Sequence, residues 1–201
     1  ILFVFCYFLL SLSPISDADS LDYHLGIPID IINNERLLLR KDWTHFQLFG
    51  LGEFYILFGI LCGTTIFGQI VNFYSLISII YLMVINIRSN KLDNQGYLLL
   101  YFLSAPIFLW LVYSSKVYLF PCLLIVFIFR YVFTDKKIND IVLFTLASYL
   151  SFILACKVSF FYEVIIIFCL FVFKKINQIR IKQFCYFFFL SGLVILFPFY
   201  L

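Results

Sequence analysis

The chain is poor in charge. Of its 201 residues only 12% are Asp, Glu, Lys or Arg, against about a quarter in a water-soluble domain. So few charges cannot cover a surface facing water, and an ordinary soluble domain is excluded. The 14 basic and 11 acidic residues leave a net charge of +3, which gives no electrostatic case for nucleic acid as a partner. No CxxC occurs, and Cys6, Cys62, Cys122, Cys156, Cys169 and Cys185 have no partner at metal-ligand spacing. Scattered through apolar segments, they read as small buried hydrophobes and report no redox compartment. Internal repeats and low-complexity linkers are absent, so residues 1–201 read as one domain. The apolar run Ile1 to Leu12 lacks the charged flank and small-residue cleavage site of a secretory signal peptide. Because apolar runs stand at both ends, beginning with Ile1 and closing with Leu201, a fragment of a longer protein is expected.

What the chain has instead is apolar bulk: 64% hydrophobic and 22% aromatic residues, with a mean hydropathy of +1.07. Lipid is the solvent this composition suits, and the expected fold class is all-α, a polytopic transmembrane helical bundle. A span needs about 20 mostly apolar residues. Stretches approaching that length cover 1–12, 69–87, 96–114, 117–133, 141–156, 158–173 and 184–201, which predicts about seven spans. A further run, Phe46 to Phe67, holds Gly50, Gly52, Glu53, Gly59 and Gly63, with Gly68 just beyond. That glycine density with one carboxylate suits broken helices lying in the interface.

Orientation follows from the cations. Arg88 with Lys91, Lys136 with Lys137, and Lys174, Lys175, Arg180 with Lys182 form three clusters, each two spans from the next. All three therefore lie on one face, which the positive-inside rule makes cytoplasmic. The intervening connections carry only Lys116 and Lys157. If the run Phe46 to Phe67 does not cross, the polar segment 14–44 is extracytoplasmic. A cell membrane, the bacterial inner membrane, is the expected location.

Chemistry is concentrated in that segment, Ser16-Asp17-Ala18-Asp19-Ser20-Leu21-Asp22-Tyr23-His24-Leu25-Gly26-Ile27-Pro28. Three carboxylates within six residues repel one another unless a cation or a proton relieves them. So grouped, they can take a proton from a hydroxyl or hold a divalent ion that grips a phosphate. The plainer reading is a solvated loop, with Asp19 or Ser20 capping a helix that carries Leu21, Tyr23, His24 and Leu25. His24 and His45 read first as interfacial hydrogen-bonding histidines. Glu53 reads as a ligand or as a residue at the wet edge. Arg36, Arg40 and Lys41 read as loop solvation or headgroup contacts, and Lys116 and Lys157 as snorkelling cations able to hold a lipid phosphate. Glu163 reads as a partner of Lys157.

The order of a span, an acidic loop with Asp-Ser-Leu-x-Tyr-His-Leu-x-x-Pro, a glycine-rich run and a string of spans resembles the GT-C superfamily of membrane glycosyltransferases. Within it the chain is most similar to the protein O-mannosyltransferase and aminoarabinose transferase type. Those enzymes carry an essential Asp in the first extracytoplasmic loop, and the matching position is Asp19. Phe46 to Gly68 resembles their interfacial helices, and Leu154-Ala155-Cys156-Lys157 their small-residue run before a Lys. Two positions depart: Lys116 stands where the family often has an acidic residue, and Ser20 where a Glu follows the first Asp. Both bear on the metal and on the donor.

The resemblance implies transfer of a sugar from a polyprenyl-phosphate carrier to an extracytoplasmic acceptor, with inversion at the anomeric carbon. Asp19 would be the general base, assisted by Asp17 or Asp22, with Tyr23, His24, Glu53, Lys116 and Lys157 as substrate-binding residues. A Lys or a divalent metal ion would neutralise the phosphate leaving group. The implied partners are the lipid-linked sugar and the bilayer. The other function classes are a transporter or flippase for a lipid-linked or anionic solute, and a non-catalytic subunit of a membrane complex. A transporter places charges at mid-membrane, whereas here the carboxylates cluster in one loop.

Overall fold

A computed structural model describes residues 2–35, 50–89, 95–133, 139–175 and 181–196, and every regular element among them is helical. The described helices are α1 (Leu2–Ser11), α2 (Gly26–Asn34), α3 (Glu53–Leu61), α4 (Phe67–Ser89), α5 (Gln95–Ser104), α6 (Pro106–Tyr113), α7 (Leu119–Val132), α8 (Asp140–Cys156), α9 (Phe161–Lys175) and α10 (Ile181–Leu196). A π-helical turn, Ser20–Leu25, leads into α2, and a 3-10 turn, Val158–Phe160, leads into α9. Arg36, Arg40, Lys41, His45, Lys91, Lys136, Lys137 and Arg180 lie outside the described residues, as do residues 46–49 and the side chains of Arg88 and Lys175.

The helix ends follow local chemistry. Asn139 caps α8 by accepting the Val142 N–H at 2.9 Å, and Asp140 sits in its first turn, where a negative charge meets the positive end of the helix dipole. The stretch expected as one span over 96–114 is two helices. Pro106 clashes with helical geometry at the residue before it, so Ala105 is extended (ψ 123°) and α6 starts afresh with proline in its first turn.

The chain divides into two compact units, residues 1–123 and 124–201. In the first, α1, α4 and α6 pack on one another around Tyr7, Phe73, Leu76, Leu103, Val112 and Leu119. Tyr7 is wholly buried and its hydroxyl donates to the Leu103 carbonyl, so a polar tip is satisfied inside an apolar layer. The π-turn, α2 and α3 pack together at the side of α4. In the second unit α8 packs chiefly against α10, with Ser151 and Ser191 hydrogen-bonded at 2.9 Å between them.

Among the described residues one helix, over Phe67–Asn86, is long and apolar enough to cross a membrane, with a mean hydropathy of 1.8. α1, α7, α8 and α10 are apolar but shorter. Within the run Phe46 to Phe67, α3 has nine residues, about 14 Å of helix against about 30 Å of hydrocarbon. It ends at Cys62–Gly63, where Gly63 takes φ +81°, a left-handed conformation open to glycine. The described part of this run is a short helix and a tight turn, too short to span.

Candidate functional site

The acidic loop enters the fold through Asp17. Its Oδ2 accepts the Ser20 N–H at 3.1 Å, and its carbonyl accepts the Leu21 N–H at 3.1 Å. Asp17 is thus the cap, and the expectation that Asp19 or Ser20 fills that role is corrected. Only a residue ahead of the first turn can reach the amide three positions on, and the helical course starts two residues earlier than a cap at Asp19 would have it.

Standing inside the turn, Asp19 is available for a different contact. Its Oδ2 accepts from the Lys116 ammonium at 2.5 Å, across 97 positions of sequence. The pair is lopsided: the Asp19 side chain is 61% exposed and that of Lys116 5%. A buried ammonium needs compensation, and a second share comes from Trp110, whose ring centroid is 3.9 Å from Nζ. Lys116, read from sequence as a snorkelling cation, is turned into the protein instead.

The segment carrying Lys116 is pinned from two sides. Gln69 and Asn72, one turn apart on α4 and both fully buried, donate to main-chain carbonyls. Gln69 reaches Ser13 at 3.0 Å and Tyr113 at 2.6 Å, while Asn72 reaches Leu111 at 3.0 Å, Ser114 at 3.1 Å and Lys116 at 2.8 Å. On the other side Ser20 Oγ accepts the Ser115 N–H at 3.1 Å, and the Ser16 and Tyr113 hydroxyls are hydrogen-bonded. Gly52 allows the turn before α3 to lie against Val117; a Cβ there would fall 2.0 Å from Val117 Cγ1.

Behind Asp19 lies a second buried pair. His24 Nδ1 is 3.0 Å from Glu53 Oε1, with both side chains enclosed, and Glu53 Oε2 accepts the Gly50 N–H at 2.8 Å. Tyr23 lies with its ring centroid 4.0 Å from that of His24. Burial, and after it the negative charges on Tyr118, Asp19, Glu53 and Asp17, pushes the Tyr23 phenol up to about 12.

Of the residues singled out from sequence, Asp17, Asp19, Tyr23, His24, Glu53 and Lys116 share this neighbourhood. Asp22 is on the exposed side of the π-turn, and Lys157 belongs to the second unit, just past the end of α8. Gln69, Asn72, Trp110 and Ser115 were missed, and Ser20, read as a cap or as a departure from the family pattern, instead accepts from Ser115. Two amide side chains at i and i+3 in a mainly apolar helix were the available signal for Gln69 and Asn72. Among the described residues no three of His, Cys, Asp and Glu converge as a metal-ligand set. The carboxylates of the cluster engage an amide, an ammonium and an imidazole instead, so the donor set does not fit a divalent ion.

The chain belongs to the DUF1420 N-terminal domain family, whose family model matches residues 1–201. No curated protein and no solved structure matches it.

Proposed function

We propose that the chain, as a DUF1420 N-terminal domain, is the membrane part of a GT-C-type glycosyltransferase that moves a sugar from a polyprenyl-phosphate carrier to an acceptor outside the cytoplasm. The observation that carries this reading is the Asp19–Lys116 pair at 2.5 Å, an exposed carboxylate on a buried ammonium. Asp19 takes the proton of the acceptor hydroxyl as its oxygen attacks the anomeric carbon. The bond from that carbon to the carrier phosphate breaks on the opposite face, and Lys116 neutralises the charge that collects on the departing phosphate. With the pair closed, the ammonium occupies the carboxylate. An arriving phosphate competes for the ammonium and leaves Asp19 open for the acceptor.

The multi-pass reading, about seven spans with 14–68 outside, has separate support. Each of the ten described helices leaves large apolar or aromatic side chains exposed, among them Leu2, Tyr101, Ile141 and Phe173 at 75–80%. Such surface on every helix suits lipid as the neighbour. The shortness of α3 suits an interfacial position, which leaves one span between the acidic loop and Arg88.

The test is transfer from a radiolabelled polyprenyl-phosphate sugar in membranes holding the full-length protein. Asp19→Asn keeps the shape and cannot take a proton, so transfer should fall about 10²–10⁴-fold. Near-normal transfer by Asp19→Asn would remove the assignment.

A further inference from the structure

The transfer step leaves the buried His24–Glu53 pair unused. Glu53 divides its two oxygens between Gly50 N–H at 2.8 Å and His24 Nδ1 at 3.0 Å. A backbone amide can only donate, so the Glu53 oxygen facing Gly50 is an acceptor. With the ring neutral and Glu53 ionised, the shared hydrogen sits on Nδ1 and a lone pair is left on Nε2. That nitrogen is buried, and among the described residues no donor reaches it. A buried acceptor without a donor is costly, and a ring packed on Tyr23 and tied to Glu53 is poorly placed to turn away.

We propose that His24 is a substrate-binding residue of defined polarity: Nε2 accepts a hydrogen bond from a substrate hydroxyl, and Glu53, anchored by the Gly50 amide, is the positioning residue that keeps Nε2 an acceptor. The identity of the hydroxyl, on the sugar or on the acceptor, rests on the glycosyltransferase reading; the polarity of the ring does not. Glu53→Gln tests it sharply. Gly50 N–H is a fixed donor, so the Gln oxygen must face it and the Gln NH₂ must face Nδ1. Nδ1 then has to accept, and the ring hydrogen moves to Nε2. One isosteric change turns the acceptor into a donor.

The experiment uses the full-length protein in lipid nanodiscs, labelled with ¹⁵N-histidine, the His24 signals being those lost in His24→Gln. With the ring neutral the wild type should show a protonated Nδ1 and a bare Nε2, and Glu53→Gln the reverse. Adding the polyprenyl-phosphate sugar or the acceptor should shift the bare nitrogen of the wild type. In the transfer assay Glu53→Gln should raise KM about ten- to a hundredfold, the worth of one buried hydrogen bond left unmade, with little change in kcat. A rise in KM for the carrier puts the hydroxyl on the sugar, and a rise for the acceptor puts it there. If Glu53→Gln does not fold, His24→Gln, whose oxygen can stand in for Nε2, should bind better than His24→Phe. Unchanged KM for both substrates in Glu53→Gln, equal KM in the two His24 variants, or no shift on adding either substrate would overturn the proposal. Full transfer by Asp19→Asn sinks the transferase reading alone, since the tautomer and its response to the added sugar remain as measured. Loss of transfer in Asp19→Asn with normal KM in Glu53→Gln sinks the His24 proposal alone.

Discussion

Ser20 and Ser115 are joined by a hydrogen bond from the Ser115 N–H to Ser20 Oγ at 3.1 Å, across 95 positions and with both residues fully buried. This bond ties the acidic turn to the segment that carries Lys116. It holds the segments that carry Asp19 and Lys116 together independently of the contact between those two flexible side chains. Ser20→Ala leaves the Ser115 amide buried without an acceptor, at a cost of about 1–3 kcal/mol. A lowered thermal midpoint in detergent or nanodiscs should report it, with Ser20→Thr, which keeps the hydroxyl, falling between. Equal midpoints for Ser20→Ala and wild type would mean the bond contributes nothing.

The cap offers a cleaner contrast. Because Asp17 Oδ2 accepts the Ser20 N–H, Asp17→Ala should cost about 1 kcal/mol, while Asp17→Asn, as good a cap, should be silent. The same two changes at Asp19 should not follow that order, since Asp19 faces an ammonium rather than an amide. A denaturation series over the four variants decides between Asp17 and Asp19 as the cap.

Much of the helical course was legible from sequence. The apolar stretches at 69–87 and 141–156, and 184–201 as far as residue 196, correspond to α4, α8 and α10, because an apolar run of that length is too long for an ordinary strand and reads as helix. The break at Ala105–Pro106 carried a local signal, proline, that hydropathy averaging over 96–114 smooths away. The cap was misplaced by two residues because Asp17, Asp19 and Ser20 are all competent cap types, and only the observed amide geometry separates them. Lys116 and Asp19 were each singled out, yet their contact was not readable. Nothing local relates positions 97 apart, and the parts that join them, Gln69, Asn72 and Ser115, act through backbone carbonyls and amides that no side-chain motif marks.

Tyr23 makes stability depend on pH in one direction. Its phenol is raised from 10.0 to about 12 in the folded protein, chiefly by burial. Below pH 10.0 the phenol is protonated in both states and its contribution is complete. As pH rises toward about 12 the unfolded chain loses this proton first, so the contribution shrinks until the folded phenol ionises too. Tyr23→Phe should therefore flatten part of the alkaline loss of stability. The difference in tyrosinate absorbance between wild type and Tyr23→Phe should titrate near 12 rather than 10.0. A difference curve centred on 10.0 would show an ordinary, hydrated phenol.

The Asp19–Lys116 pair allows stability and chemistry to be separated. Asp19 is more than half exposed, so its own removal exposes little, but Lys116 is nearly enclosed and would keep a charge with only the Trp110 face against it. Asp19→Asn should therefore destabilise the fold modestly, less than the about 3–5 kcal/mol of a fully buried broken pair, because solvent reaches the carboxylate side. Lys116→Met removes the stranded charge and keeps an apolar stem of similar length for Trp110. Hence Asp19→Asn combined with Lys116→Met should recover most of the stability lost by Asp19→Asn alone, a coupling readable in a double-mutant cycle of thermal midpoints. On the proposed mechanism transfer should behave in the opposite way: the double variant lacks both the proposed base and the proposed cation, and should be no more active than the weaker single variant. Recovery of transfer together with stability would mean that Asp19 acts only by holding Lys116 in the fold.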